Sequence, residues 1–377
     1  MSTDIYWRIA MEGDQTSLRR PGSSRGGFAS HLPDALAPGR RAGGWDEFTH
    51  ADYMAEVIRS AEDSGFVGGL LPSFPHTDDP WAAAATLAAE TRTWRFMIAF
   101  QPGFLHPVQA ARMSATLQRA TGGRIVYNII SGGGGPAQQW WGDTIDHDDR
   151  YARTSEFLDV LSGIWHADGN FRYEGQHYHI DSAGLPDIIA GQPFPEIFFS
   201  GSSPAAIAAA GRHADYYLSW LEPFDELAAK FAAVRASSTT PPRFAVRVDL
   251  LARATEEQAW QEIELGWAAV RAEADNSVGD SVGARRSRSF TADADPRDYR
   301  SWERQPNVWG GFHRLRPGPA FGLVGSYSQV AARLDDLIDL GVDAFILAGV
   351  PHLEEAQRIG RNVLPLLRPR PRKETLA

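Results

Sequence analysis

The sequence predicts a closed (β/α)8 barrel, in which eight parallel strands are wrapped by helices, and three observations predict it. Short apolar runs alternate with amphipathic stretches along the whole chain, the pattern of repeated βα units. The strand candidates number eight, and eight strands close naturally into a barrel. No glycine-rich fingerprint follows the first strand, where an open doubly wound sheet would carry one. The 377 residues are expected to form one domain, 1–377, with insertions.

The elements follow in order. Ile5–Ala10 is the first strand, and Gln15–Trp45, polar and rich in Gly, Pro and Arg, is a long loop after it. Ala51–Asp63 is a helix, Val67–Leu71 the second strand, Pro80–Ala89 a helix and Arg95–Phe100 the third strand. Pro107–Ala120 opens with a proline at its first turn, and Ile125–Ile130 is the fourth strand. The glycines from Gly132 to Gly135 make a flexible bend, a hinge in the first reading with phosphate contact as the alternative. Asp148 or Asp149 caps a helix over Arg150–Trp165, and Phe171–Ile180 alternates as a small hairpin. The remaining strands are Ile197–Phe199, Tyr216–Ser219, Phe244–Leu251 and Ala344–Leu347. Their helices are Pro204–Arg212, Phe224–Val234, Glu256–Glu273, Tyr327–Leu340 and Leu353–Val363. Asp275–Arg304 carries Arg285, Arg286, Arg288, Arg300 and Arg304 among Asp and Ser. It is too long for a plain connection, and a lid insertion is expected there. The tail at 368–377 is expected to be solvated and disordered.

Composition narrows the function. Acidic residues outnumber basic ones 47 to 37, for a net charge of -10, and no basic run stands outside the tail. That balance argues against nucleic acid as a partner. Cysteine is absent, which excludes disulfides, thiolate metal sites and a cysteine nucleophile. No 18-residue apolar run and no signal-peptide pattern is present, so a cytoplasmic protein without a membrane partner is expected. The 12 tryptophans and 43% hydrophobic content suffice for a large core and an aromatic-lined pocket.

Chemistry concentrates at the C-terminal ends of the strands. The run Ile197-Phe198-Phe199-Ser200-Gly201-Ser202-Ser203-Pro204 passes from an apolar strand through Ser and Gly into an alanine-rich helix. Such a turn presents backbone N–H groups and hydroxyls to a phosphate, although most Gly/Ser turns of this kind are ordinary caps. Asn128, Trp220, Arg247 and Asp249 stand within or just after strands, at places that meet the substrate face of a barrel. The plainer alternative is that Asn128 bonds neighbouring backbone and that Arg247 pairs with Asp249. His177-Tyr178-His179 offers two imidazoles without a third ligand, so no metal is expected.

These pieces, taken together, resemble the reduced-flavin-dependent alkanesulfonate monooxygenases of the bacterial-luciferase-like barrel family. The stretches that carry the resemblance are collinear. They run from Tyr6-Trp7 through Ser64-Gly65-Phe66-Val67-Gly68, Asp79-Pro80-Trp81, Ala110-Ala111-Arg112, Gly123-Arg124 and Asp146-His147 to Pro193-Phe194-Pro195, and then through Asn307-Val308-Trp309 and Leu323-Val324-Gly325 to Pro351-His352-Leu353-Glu354-Glu355-Ala356. The resemblance implies flavin contacts at Asn128, Tyr151, Ser200, Gly201, Ser202 and Ser203, and a sulfonate site at Arg247, Arg316 and Trp220. Three other active-site positions depart from the family pattern, Thr77 and Val350 being substrate contacts in what the resemblance implies: Thr77 replaces a cysteine, Asp249 a histidine and Val350 a tyrosine. A carboxylate beside Arg247 partly neutralises the arginine that should hold a sulfonate, which points to a changed substrate. His76, beside Thr77, and Asp249 are then the candidates for proton transfer.

The function so implied is a two-component monooxygenase. FMNH2 comes from a separate NAD(P)H-dependent flavin reductase, O2 is the co-substrate, and an organosulfonate would give an aldehyde and sulfite. The alternatives are the same chemistry on a sulfone, amine or ring compound, a coenzyme F420-dependent oxidoreductase of the same fold, and a barrel that binds flavin without catalysis. A homo-oligomer, dimer or tetramer, is expected.

Overall fold

Strands in chain order are β1 (Asp4–Arg8), β2 (Gly68–Leu71), β3 (Arg95–Phe100), β4 (Ile125–Ile129), the pair β5 (Phe171–Glu174) and β6 (His179–Ala183), β7 (Ile197–Ser200), β8 (Tyr216–Trp220), β9 (Arg243–Arg253), β10 (Glu303–Gln305), β11 (Val308–Trp309), β12 (Gly322–Ser326) and β13 (Val342–Ala348). The structure is a computed structural model that describes residues 3–9, 11, 50–74, 77–132, 135–270, 282–315 and 318–368. Eight strands pair in parallel in the order β1, β2, β3, β4, β7, β8, β9, β13, and β13 returns to β1. The barrel is therefore closed, and its staves are the eight runs expected from the sequence. Both faces of a parallel barrel strand are buried, which is why each reads as an apolar run.

Alternation along each stave sorts the side chains. Tyr6, Val126, Phe198, Leu218, Ala245 and Ile346 belong to one cluster that fills the barrel, while Trp7, Tyr127, Phe199, Tyr217 and Val246 belong to the larger core that also holds the helices. Two residues further along each stave, Arg8, Asn128, Ser200, Trp220, Arg247 and Ala348 share the inward direction at the C-terminal end.

The opposite end is closed by charge. Arg95 bridges Asp4, at 3.5 Å, and Glu196, and Arg243 reaches Glu196 at 2.5 Å with its guanidinium carbon 3.8 Å from the Tyr216 ring centroid. These groups start the staves and brace the N-terminal face, leaving the C-terminal face for chemistry.

β9 is longer than a stave needs. Beyond Asp249 it leaves β13 and continues beside β12, to which β11 and β10 add antiparallel. Gly322 has no side chain because a Cβ there would lie 2.2 Å from the Asp249 carbonyl oxygen. Over this extension sits a second core of Trp260, Trp267, Trp302, Trp309 and Phe312. Four of the 12 tryptophans thus serve as core, holding the helix Glu256–Val270 against the segment after it.

Several expectations are adjusted. The helix over Arg150–Trp165 begins at His147 with Asp146 at its N-cap, so Asp148 and Asp149 occupy its first turn, where their charge favours the helix dipole. The segment expected as a lid is described from Val282 onward: a helix Val282–Ser289, a 3-10 turn Tyr299–Trp302 and β10, with Trp302 buried and Arg300 stacked 3.8 Å over the Trp260 ring centroid. Arg368, first residue of the expected tail, reaches Asp335 at 3.1 Å and Asp339 at 2.6 Å. The loop at 15–45, the part of the lid at 275–281 and the tail beyond 368 lie outside the described residues, as do His76 and Arg316.

Candidate active site

The Ser200–Ser203 turn, where the sequence leads one to expect a phosphate, joins β7 to the helix Pro204–His213. Ser203 is the N-cap of the helix Pro204–His213: its Oγ accepts from the Ala206 N–H at 3.2 Å, and Pro204 stands at the first helical position. Among the described residues the amides of Gly201, Ser202 and Ser203 hold no hydrogen bond. Gly201 adopts φ +152, and a Cβ there would meet Ala206 at 2.4 Å and the Tyr151 hydroxyl at 2.7 Å, so only glycine brings the backbone this close. Burial raises the Tyr151 phenol above its usual pKa, against a hydrogen bond with Ser203 that lowers it, and Tyr217 donates its hydroxyl to the Gly201 carbonyl at 2.6 Å. Ser200 donates to Asn128 Oδ1 at 3.3 Å. The six residues assigned to the cofactor therefore come together at one strand-to-helix turn, whose unbonded amides suit an anion such as the phosphate of a flavin mononucleotide.

A buried cation behind this turn was not singled out in the sequence. Lys230, in the helix Phe224–Ser237, is 7% exposed and sends its Nζ to Ser202 Oγ at 3.3 Å, to Ser219 Oγ at 3.0 Å and to Glu222. Glu222 is 3% exposed and also receives Arg286 Nε, 3.2 Å from each carboxylate oxygen, while Arg286 Nη2 reaches Glu226 at 3.0 Å. Burial lowers the Lys230 pKa, and the Glu222 charge opposes that shift. A lysine in a helix reads as a solvated face; only the loop carrying Glu222 back over the helix reveals the pair.

The rest of the mouth is polar and packed. Arg247 Nη2 donates to Asp249 Oδ1 at 2.8 Å, with the residues 3% and 0% exposed. The plainer reading of that pair is what the structure contains, made along one strand. Trp220 stands in register with Arg247, and Ala348 with Asp249. On the far side of β13, Arg8 Nη1 lies 3.2 Å from His352 Nε2, and Trp7 Nε1 donates to the His352 carbonyl at 3.1 Å. Arg8 and His352 are both buried, and neither was picked out as a site residue because 344 positions separate them. Val350 is buried beside them in sequence, before a cis peptide to Pro351. Thr77 closes its own turn: its Oγ1 accepts from the Phe74 N–H at 3.0 Å and donates to the Phe74 carbonyl at 3.1 Å.

Comparison with known proteins agrees with the architecture. Residues 28–344 match the model of the luciferase-like monooxygenase family. A long-chain alkane monooxygenase superposes with a TM-score of 0.71 at 17% identity, covering 98% of this chain and 93% of that one. A riboflavin lyase solved with modified FMN and riboflavin gives 0.70 at 18%, covering 97% and 91%. An F420-dependent secondary alcohol dehydrogenase gives 0.64 at 15%, covering 98% and 100%. Identities at this level speak for the fold.

Proposed function

The chain belongs to the luciferase-like monooxygenase family, and from that premise and the barrel mouth we propose that it is a two-component FMNH2-dependent monooxygenase acting on a small organic substrate. The observation that carries the reading is the Ser200–Ser203 turn, whose Gly201, Ser202 and Ser203 amides hold no hydrogen bond among the described residues, beside Tyr151 at the C-terminal face. Ser202 and Ser203 hold the flavin phosphate, Asn128 offers a donor to the ring system, and Tyr151 is a hydroxyl donor at neutral pH as any phenol is, burial raising its pKa further. Bound reduced flavin supplies the electrons and the oxygen chemistry. A separate NAD(P)H-dependent reductase supplies the FMNH2.

The substrate in this reading is an organosulfonate. Arg8 and Arg247 put two guanidinium groups at the mouth, Arg247 beside Asp249, Arg316 joins them as the resemblance implies, and Trp220 walls the pocket. Asp249 or His76 moves the proton. The balance is one sulfonate, one O2 and one FMNH2 giving one aldehyde, one sulfite, one FMN, one water and one proton. The Arg247–Asp249 pair favours a second reading, oxidation of a neutral sulfone, amine or ring compound, because it leaves less of Arg247 for an anion. A turnover screen with FMNH2 and with reduced F420, following O2 uptake and sulfite release across alkyl, sugar and aromatic sulfonates, tests it. Sulfite release with FMNH2 supports the first reading, an oxygenated product from a sulfone, amine or ring compound added to the screen, without sulfite from any sulfonate, supports the second, and turnover with F420 alone overturns both.

A further inference from the structure

Lys230 does more than fill a hole. An ion pair buried to this degree adds little stability over an apolar pair of the same shape, so its placement against a ligand turn calls for a use. An ammonium has three N–H donors, and here they go to Ser202, Ser219 and Glu222. Because Ser202 Oγ accepts from Lys230, its own hydrogen is left to donate. The nearby acceptor is the Tyr217 hydroxyl, whose proton is already committed to the Gly201 carbonyl. Ser219 takes the same form, accepting from Lys230 and donating to the Trp220 carbonyl at 2.9 Å. Arg286 bridges Glu222 and Glu226, so two cations meet two carboxylates, and the ammonium of Lys230 is the charged group of this cluster that touches the turn itself, through Ser202.

We propose that Lys230 is a positioning and selecting cation of the phosphate turn: by donating to Ser202 Oγ it keeps the Ser202 hydroxyl a donor, which turns from Tyr217 to the ligand phosphate when one binds, and it makes the site prefer a flavin bearing a 5′-phosphate over unphosphorylated riboflavin. Glu222 is its counterweight, holding the ammonium in place while competing with the phosphate for it. The proposal rests on the flavin reading of the turn. Its signature is a ratio, FMN affinity over riboflavin affinity, because riboflavin lacks the group that Lys230 addresses. A merely structural lysine would shift both affinities together.

The experiment is an anaerobic titration of the reduced forms of FMN and riboflavin into wild type, Lys230→Gln, Lys230→Arg and Glu222→Gln, with a thermal melt of each variant. Wild type is expected to prefer FMN, and Lys230→Gln to lose tenfold or more in FMN affinity with riboflavin unchanged within twofold. Lys230→Arg should recover part of the loss, and Glu222→Gln should raise FMN affinity severalfold. If Lys230→Gln fails to fold, the Lys230→Met/Glu222→Gln double variant removes both charges together and is expected to fold with a reduced FMN preference. Equal loss of both flavins, or an unchanged ratio, overturns the role of Lys230 while leaving the flavin reading intact. Wild type that binds neither flavin overturns both.

Discussion

Asp249 is the residue on which substrate choice turns. It is wholly buried and gives an oxygen to Arg247 at 2.8 Å, so the arginine best placed to grip an anion is already engaged. Asp249→His removes one negative charge and restores a donor, and activity on short alkanesulfonates is expected to rise about tenfold, the scale of one hydrogen bond to a charged group. Sulfite release as kcat/KM checks it; a wild type already efficient on these substrates and unaffected by the change would make Asp249 a structural partner only. Sequence alone made Asn128, Arg247, Asp249 and the Ser200–Ser203 turn legible, because each is a polar interruption of an apolar run. Lys230, Glu222, Arg8 and His352 were opaque, since their meaning comes from partners met across the fold, and Thr77, read as a substrate contact, spends its hydroxyl on its own turn.

At the scale of elements, the helices His147–His166 and Pro204–His213 meet at a pH-sensitive contact. His213 Nε2 lies 2.6 Å from Ser155 Oγ, and burial pulls the imidazole pKa down to about 4, Asp159 opposing and Arg212 assisting. Between pH 6.5 and about 4 the unfolded chain takes up a proton that the folded imidazole refuses. This contribution is therefore complete above pH 6.5, is lost as pH falls toward 4, and totals on the order of 3 kcal/mol. His213→Gln should flatten that part of the stability profile in denaturant unfolding from pH 7 to 4; an unchanged slope would place the acid sensitivity elsewhere. Staves and proline-led helices were legible because their pattern is local. β12 was not, because Gly-Leu-Val-Gly-Ser is short and glycine-rich and becomes a strand only beside the overlong β9. The helix Val282–Ser289 was also missed; it is rich in Arg and Ser, and Arg286 ties it to Glu222 and Glu226.

Over the whole molecule, stability and function divide between the two ends of the barrel. Glu196 accepts from both Arg95 and Arg243 at the N-terminal face. Glu196→Gln should cost on the order of 1 kcal/mol, because the pairs are partly exposed and Arg95 keeps Asp4, seen as a lower unfolding midpoint, while flavin affinity stays unchanged. A variant that loses flavin affinity along with stability would contradict that division. The central claim concerns the other end, where the Ser200–Ser203 turn is assigned to the phosphate of a reduced flavin delivered by a partner. The direct measurement is anaerobic titration of FMN and FMNH2 into wild type and into the Ser202→Ala/Ser203→Ala double variant. The account predicts that wild type binds FMNH2 more tightly than FMN and that the double variant weakens both by about 1–3 kcal/mol; equal or weaker binding of FMNH2 by wild type, or affinities untouched by the double substitution, would contradict it.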